Sequence, residues 1–395
     1  MMQLLLFLLG FLLFIGLILA HEWGHFITAR KNGVKVEEFG LGIPPRAWSR
    51  KLKSGMILSL NWLPLGGFVK LKGEHDADSE PGSFGAASLK AKTKILLAGV
   101  SMNVLVGLVI LTVLAFIGIP KIITPQTVGE EQFSVKRDAK VIQREVLAGF
   151  ISPGSPAQQI GLRSNDVILK IASGGQEKTI KNTQQLHDAT QAFGGQKIAL
   201  TFKRGSKAIT KSVQLRSPSE VEKSLKTADP KGYLGVSPNE FEVMRSTWSA
   251  PVVAVGFSAQ LFKLTFQGLW HALSGLGSII AGISTGNHQA RQNGQSLATS
   301  QVGGPVAIME VLWGGGTLGF RFMLIIVAVI SLTLALMNVL PIPALDGGRL
   351  FVILFSRLLR IRISPRAEEL IHGMGMAFLL TLFVLITIVD VHRFF

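Results

Sequence analysis

The chain has 395 residues, of which 48% are hydrophobic and only 16% charged, against about a quarter charged in an ordinary soluble protein. A formal charge of +16 invites a nucleic-acid reading, but no basic face with a recognition motif accompanies it, so no nucleic-acid partner is expected and anionic lipid headgroups are the simpler partner. Cysteine is absent, which excludes disulfides, thiolate metal ligands and cysteine nucleophiles.

The first apolar stretch, Leu4–Ala29, carries His21-Glu22-Trp23-Gly24-His25. On a helix this spacing puts two imidazoles on one face, spaced to share a zinc ion, with Glu22 beside the open coordination position. Ionisable groups at membrane depth are expensive and mark function. The stretch has no positive n-region, and cleavage near Ala20 would remove the helix with the motif, so it reads as an uncleaved span rather than a signal peptide.

Three more stretches reach the roughly 20 residues that a bilayer requires: Ile95–Ile119, Met323–Leu340 and Met374–Val391. The loop between the first two spans carries twelve Lys and Arg from Arg30 to Lys94, and the loop between the last two carries Arg349, Arg357, Arg360, Arg362 and Arg366. By the positive-inside rule both loops are cytoplasmic, and the long middle region lies on the other side. Pro251–Ser284 is also long enough to span. Its Gly, Ser, Gln and Thr content, and the need for both halves of the site to meet, favour an amphipathic interfacial helix.

From about Gln126 to Pro218 the sequence turns polar, with short β-rich runs at Lys197–Lys203 and Ala208–Leu215. The stretch from Gly149 through Pro156 and Gly161 to Asp166 and Ile171 resembles a bacterial PDZ domain, with Gln184–Ala192 as the second helix beside its groove. Gly232-Tyr-Leu-Gly-Val236 resembles a carboxylate-binding loop, and reads equally well as an ordinary strand entry.

A catalytic zinc takes three protein ligands and keeps one position open. His75, Asp76 and Asp78 read as solvated loop residues, and His372 and His392 as interfacial. Asp346 is the better third ligand. It follows Asn338-Val-Leu-Pro-Ile-Pro-Ala-Leu, whose prolines break the helix at membrane depth, where irregular backbone survives only against protein or a wet cavity. Taken alone, Asp346-Gly347 is as well an exit turn at a helix end.

The His-Glu motif in the first span, with N-x-x-P-x-x-x-L-D-G at the third, resembles the site-2 protease family of intramembrane zinc metalloproteases, and does so over nearly the whole chain. The resemblance implies Zn²⁺ held by His21, His25 and Asp346, with Glu22 as general base and Asn338 holding the substrate backbone. The Phe39-Gly40-Leu41-Gly42 and Pro64-Leu65-Gly66-Gly67-Phe68 segments resemble the family's re-entrant β-hairpin, making Gly40, Gly42, Gly66 and Gly67 candidates for contact with an extended substrate. Ala98-Gly99-Val-Ser-Met-Asn103 resembles the family's A-G-P-x-x-N with valine for proline; Asn103 either lines the site or joins two helices. Gly303-Gly304-Pro305-Val306-Ala307 resembles a further family motif.

The expected fold is a multi-pass α-helical membrane protein with four transmembrane helices, a re-entrant β-hairpin region and an extracytoplasmic α+β PDZ domain. The expected division is 1–120 for the N-terminal membrane core, 121–240 for the PDZ domain, 241–321 for the amphipathic segment and 322–395 for the C-terminal core. The implied function is zinc-dependent cleavage of transmembrane segments of single-span proteins, of anti-sigma factor or remnant signal peptide type, after a prior cut. It would take place in the bacterial inner membrane with the active site towards the cytoplasm. The rivals are a non-catalytic PDZ-containing scaffold, and a membrane-anchored metalloprotease working outside the bilayer.

Overall fold

The computed structural model describes residues 2–76, 78–205, 207–227, 229–285, 287, 289, 305–361 and 363–394. The chain divides into two compact units: Met1–Thr112 with Ala254–Gly316 and Met323–Phe395, and Val113–Val253 with Thr317–Phe322.

The first unit is built on apolar helices. Helix α1 (Met2–Lys31) has no proline to interrupt its ladder, so its peptide groups are satisfied internally, as a hydrocarbon environment demands. Arg30 and Lys31 occupy its last turn, where cations complement the helix dipole. The chain then leaves through Gly33 at φ +76°, a left-handed conformation natural to glycine.

Strands β1 (Val36–Lys51) and β2 (Ile57–Leu71) form an antiparallel hairpin with doubled pairing, in which Gly40 lies opposite Phe68 on one side and Ser59 on the other. The first half of β1 is therefore central, and residues 67–71 and 46–51 are the two edges. Phe26, Val36, Phe39, Leu71, Phe84 and Ile95 form a shared core between hairpin and helices. Helix α2 spans Leu89–Ile117.

Five helices among the described residues are long and apolar enough to cross a membrane: Gln3–Lys31, Leu89–Ile117, Ala250–Ile279, Phe320–Val339 and Pro365–Ile388. Four coincide with the expected spans. The fifth falls in the segment expected to be interfacial, and its mean hydropathy of 1.3 is the lowest of the set, the others lying between 2.1 and 2.7. A membrane protein with a β-rich unit is the resulting architecture.

The second unit is mostly sheet. Its strands are β3 (Ile119–Pro120), β4 (Lys140–Ile151), β5 (Val167–Ser173), β6 (Gln176–Thr179), β7 (Lys197–Arg204), β8 (Lys207–Gln214) and β9 (Val236–Arg245), in the order β3-β9-β4-β5-β7-β8 with β6 on β5. Short helices α3 (Pro125–Val128), α4 (Pro156–Gln159), α5 (Thr183–Ala192) and α6 (Pro218–Ser224) join them. Asn182 and Ser217 cap α5 and α6 through their side-chain oxygens, satisfying N–H groups that a helix start leaves open. Val146, Ile168, Ile171, Leu186, Leu200 and Phe202 fill the core. Arg204 forks onto buried Asp166 at 2.8 and 2.6 Å, the bidentate geometry that suits guanidinium.

The long helix α7 runs from Ala250 to Thr285. It is followed by α8 (Pro305–Leu318), α9 (Phe320–Val339), α10 (Asp346–Leu358) and α11 (Pro365–Phe394). Gly303 and Gly304 lie outside the described residues; Pro305 opens α8. Helix α10 has no counterpart in the sequence expectations, which put only a loop between the last two spans. Its apolar positions fall on one stripe with Gly347, Gly348, Ile353 and Ser356 buried, so it packs on the unit by one face.

Candidate active site

The His-Glu motif occupies the second half of α1. His21 and His25 lie one turn apart with ring centroids 4.8 Å apart, and their Nε2 atoms are 3.2 Å apart. Asp346 meets both: its Oδ2 is 3.1 Å from His21 Nε2 and 3.2 Å from His25 Nε2. Glu22 is buried at 9% exposure between the two histidines in sequence.

Asp346 reaches this point because the chain between α9 and α10 doubles back. A Cβ on Gly347 or Gly348 would collide with the main chain of residues 339–342, so only glycine permits the fold-back. Ala344 takes φ +83°, a strained conformation for a residue with a Cβ. Its N–H is held by a hydrogen bond to His372 Nδ1 at 3.3 Å. One turn further along α11, a Cβ on Gly375 would strike Pro343. The last span thus clamps the loop that presents Asp346. His372, read from sequence as a bland interfacial residue, is part of that clamp. Asp346 also starts a helix instead of ending one, against the exit-turn alternative.

A second network fixes the loop before α2. Lys92 is fully buried, donating to Gly85 O at 2.7 Å and pairing with Asp76. The Asp76 N–H donates to Glu368 at 3.0 Å, and Asp78 accepts from the His75 N–H at 3.1 Å. His75 Nε2 lies 3.3 Å from Glu369. These loop residues were expected to be solvated. Asp76 is instead the ion-pair partner of buried Lys92, a charge that is costly to bury unpaired, and through Asp76 and His75 the loop is tied to α2 and α11.

The nitrogen–nitrogen and nitrogen–oxygen separations at the motif bear directly on metal binding. Tetrahedral zinc with bonds of about 2.0–2.1 Å places its ligand atoms about 3.3 Å apart; the three found here are 3.1, 3.2 and 3.2 Å apart. Asp346 Oδ2 is buried and makes no hydrogen bond of normal geometry, although both imidazoles are within ion-pair distance. An orphaned buried acceptor beside two aromatic nitrogens is expensive, and a shared divalent cation resolves it. These three are the group of His, Asp and Glu side chains with metal-ligand spacing among the described residues.

The other expected residues are more dispersed. Gly67 adjoins the motif: a Cβ there would lie 3.0 Å from Glu22 Cγ. The nearest neighbours of Gly40 and Gly42 are hairpin residues, Phe68 and Ser59 for the one, Leu63 and Asn61 for the other. Gly66 has open space and φ +80°, the mark of a turn position. Asn338 is half-buried in the last turn of α9, and its side chain makes no hydrogen bond among the described residues. Gly99 was expected only as part of the A-G-P-x-x-N resemblance, with no role given to it; its absent Cβ leaves room for both imidazoles, since an atom there would sit 2.6 Å from His21 Nε2.

The comparisons with known proteins concern the chain as a whole. The model of peptidase family M50 matches residues 9–382. A Clostridium perfringens protein whose name describes a zinc metalloprotease is 29% identical over 393 residues, covering 96% of both chains. One from Campylobacter jejuni, similarly named, is 28% identical over 95% of this chain and 90% of its own. A protein from Enterococcus faecalis named as the protease eep is 24% identical over 96% and 97%. With its apolar helices and bacterial relatives, the chain is a bacterial inner-membrane protein. It belongs to peptidase family M50, the site-2 protease family, and is a zinc metalloprotease.

Proposed function

We propose that the protein is an intramembrane endopeptidase in which His21, His25 and Asp346 hold the zinc and Glu22 is the general base. The observation that carries this reading is the meeting of three ligand atoms at 3.1–3.2 Å, two from a helix that is otherwise long and apolar enough to span a membrane and the third from Asp346 at the start of α10. When bound, zinc supplies Lewis-acid polarisation of the scissile carbonyl and acidifies the attacking water. Glu22, buried next to the ligand set, takes the proton of that water and passes it to the leaving amine.

A substrate helix satisfies its own peptide groups and must unwind before it can be cut. The edge of the hairpin at residues 67–71, beginning beside Glu22, offers main-chain partners to the unwound segment. Gly67 supports this role because a side chain there would crowd Glu22. Asn338, at the end of α9, is the further candidate for holding the substrate backbone. Gly40, Gly42 and Gly66 serve the hairpin's own shape, and the reading does not depend on direct contact through them.

The β-rich unit is proposed to be a PDZ domain, within an organisation of membrane core at 1–120, PDZ domain at 121–240, an amphipathic segment at 241–321 and C-terminal core at 322–395. In its support, α5 and the Gly232–Val236 turn line one cavity of about 340 Å³ with Leu186, His187 and Tyr233. In this reading the domain is extracytoplasmic and excludes substrates that keep a bulky outer domain, so the substrates are single-span proteins already cut once. Anti-sigma factors and remnant signal peptides are the two types. The motif end of α1 then faces the cytoplasm, with four spans and an interfacial α7.

The test is Glu22→Gln in purified full-length protein given a single-span substrate. Cleavage falls about 10²–10⁴-fold, the usual contribution of a general base, while zinc is retained. Cleavage at the wild-type rate would overturn the mechanism.

A further inference from the structure

The second span meets the site along one row of every fourth residue. The main-chain carbonyl of Ile95 lies 2.8 Å from His25 Nδ1. Gly99 leaves space for both imidazoles. Asn103 Nδ2 is 3.2 Å from His21 Nδ1. At Gly107 a Cβ would lie 2.8 Å from Leu332 of α9.

Two of these contacts decide protons. A carbonyl oxygen can only accept, so Ile95 fixes the His25 proton on Nδ1 and leaves the Nε2 lone pair facing Asp346. His21 needs the same arrangement, and its Nδ1 partner is the amide of Asn103. With Nδ2 towards the ring, Nδ1 would have to accept, and the imidazole proton would be driven onto Nε2, where it blocks ligation. Turning the amide by 180° exchanges oxygen for nitrogen at nearly unchanged position. Oδ1 is buried and has no hydrogen-bond partner in the other orientation, so no bond through that oxygen opposes the turn.

The backbone at Asn103 is anchored independently. Ser331 Oγ donates to the Asn103 carbonyl at 2.7 Å, and both residues are buried, at 0% and 1% exposure. A polar side chain fully buried in a membrane span is costly unless it is used. Helix joining is already served by the main chain, which leaves the side chain for His21.

We infer that Asn103 is a positioning residue for the metal centre: its side-chain carbonyl accepts the His21 Nδ1–H and so fixes the tautomer in which Nε2 can bind zinc. The inference rests on the ligand set proposed above. It makes a prediction that a purely structural asparagine does not. Aspartate, which can only accept when ionised, substitutes for the side chain; leucine, of similar size, does not.

Zinc retention is measured by chelator competition on purified full-length wild type, Asn103→Asp and Asn103→Leu. Asn103→Leu loses about 10–100-fold in affinity, the usual effect of removing an outer-shell partner, and Asn103→Asp stays within a few-fold of wild type. Wild-type affinity in Asn103→Leu, or an equal loss in a folded Asn103→Asp, would overturn the inference. Should either variant fail to fold, the wild type decides alone. In zinc-loaded, ¹⁵N-histidine-labelled protein, the His21 signal, identified by its loss in His21→Gln, carries a proton on Nδ1; an unprotonated Nδ1 sinks the idea. A wild type that binds no zinc would instead remove the ligand set itself, so the two failures are separable.

Discussion

Asp138 in the β-rich unit and Asp346 in the membrane unit show how differently the two regions use a carboxylate. Asp138 is 9% exposed and accepts from the Thr247 N–H and hydroxyl and from the Ser249 N–H and hydroxyl. These bonds, led by the Ser249 hydroxyl, hold its carboxyl well below the usual carboxylate range. Both oxygens are engaged, Oδ2 by three donors and Oδ1 by one, so Asp138 has little left to offer a ligand, and its effect is to fasten the residues preceding α7 to the loop before β4. Asp346 Oδ2 is left without a hydrogen bond. A saturated carboxylate is structural; one held short of partners is available for chemistry.

The comparison breaks most visibly if the two aspartates respond alike to substitution. Asp346→Ala removes a proposed ligand. It loses more zinc affinity than the ~10–100-fold of an outer-shell change, read by metal analysis after chelator dialysis; unchanged occupancy would remove Asp346 from the ligand set. Gly99→Ala sharpens the same point from the packing side. The added methyl intrudes on both imidazoles, and zinc affinity drops about tenfold or more, as for lost outer-shell support, with the helices still formed by circular dichroism. The smallest effect is at Asp138. Because its folded pKa is depressed, its stabilisation is present above the unfolded value near 4 and is lost as pH falls below it. Asp138→Asn therefore lowers the melting temperature at pH 7 while leaving zinc content unchanged, and the gap to wild type narrows as pH is lowered through about 4. A gap independent of pH would show that the hydrogen bonds, not the charge, carry the effect.

The parts legible from sequence were those written in side-chain identity and period. His21 and His25 announce themselves by spacing, and four of the apolar helices by length. Asp346 was recognisable because two prolines and two glycines surround it. The supporting contacts were illegible for physical reasons. The Ile95 carbonyl is a main-chain acceptor, which any residue type would supply. His372 acts across 28 residues on Ala344, and a histidine at a span's end carries no sign of such a partner. Asp76 looked solvated because its buried partner Lys92 lies in a run of basic residues that otherwise face water. Helix α10 was hidden by Arg349, Arg357 and Arg360, which read as a charged loop although its apolar stripe is regular.

The fourfold row on α2 has a consequence for access. A helix turns about 100° per residue, so positions four apart drift by about 40°, and the row from Ile95 to Gly107 sweeps around the helix from α1 towards α9. A single rod therefore gauges the distance between the helix bearing both histidines and the helix leading to Asp346. Moving that rod aside would pull apart the atoms that meet at 3.1–3.2 Å. If the proposed ligand set holds the metal, opening on this side would disrupt it, and the expected approach of a peptide is from the hairpin, where Gly67 leaves Glu22 uncrowded.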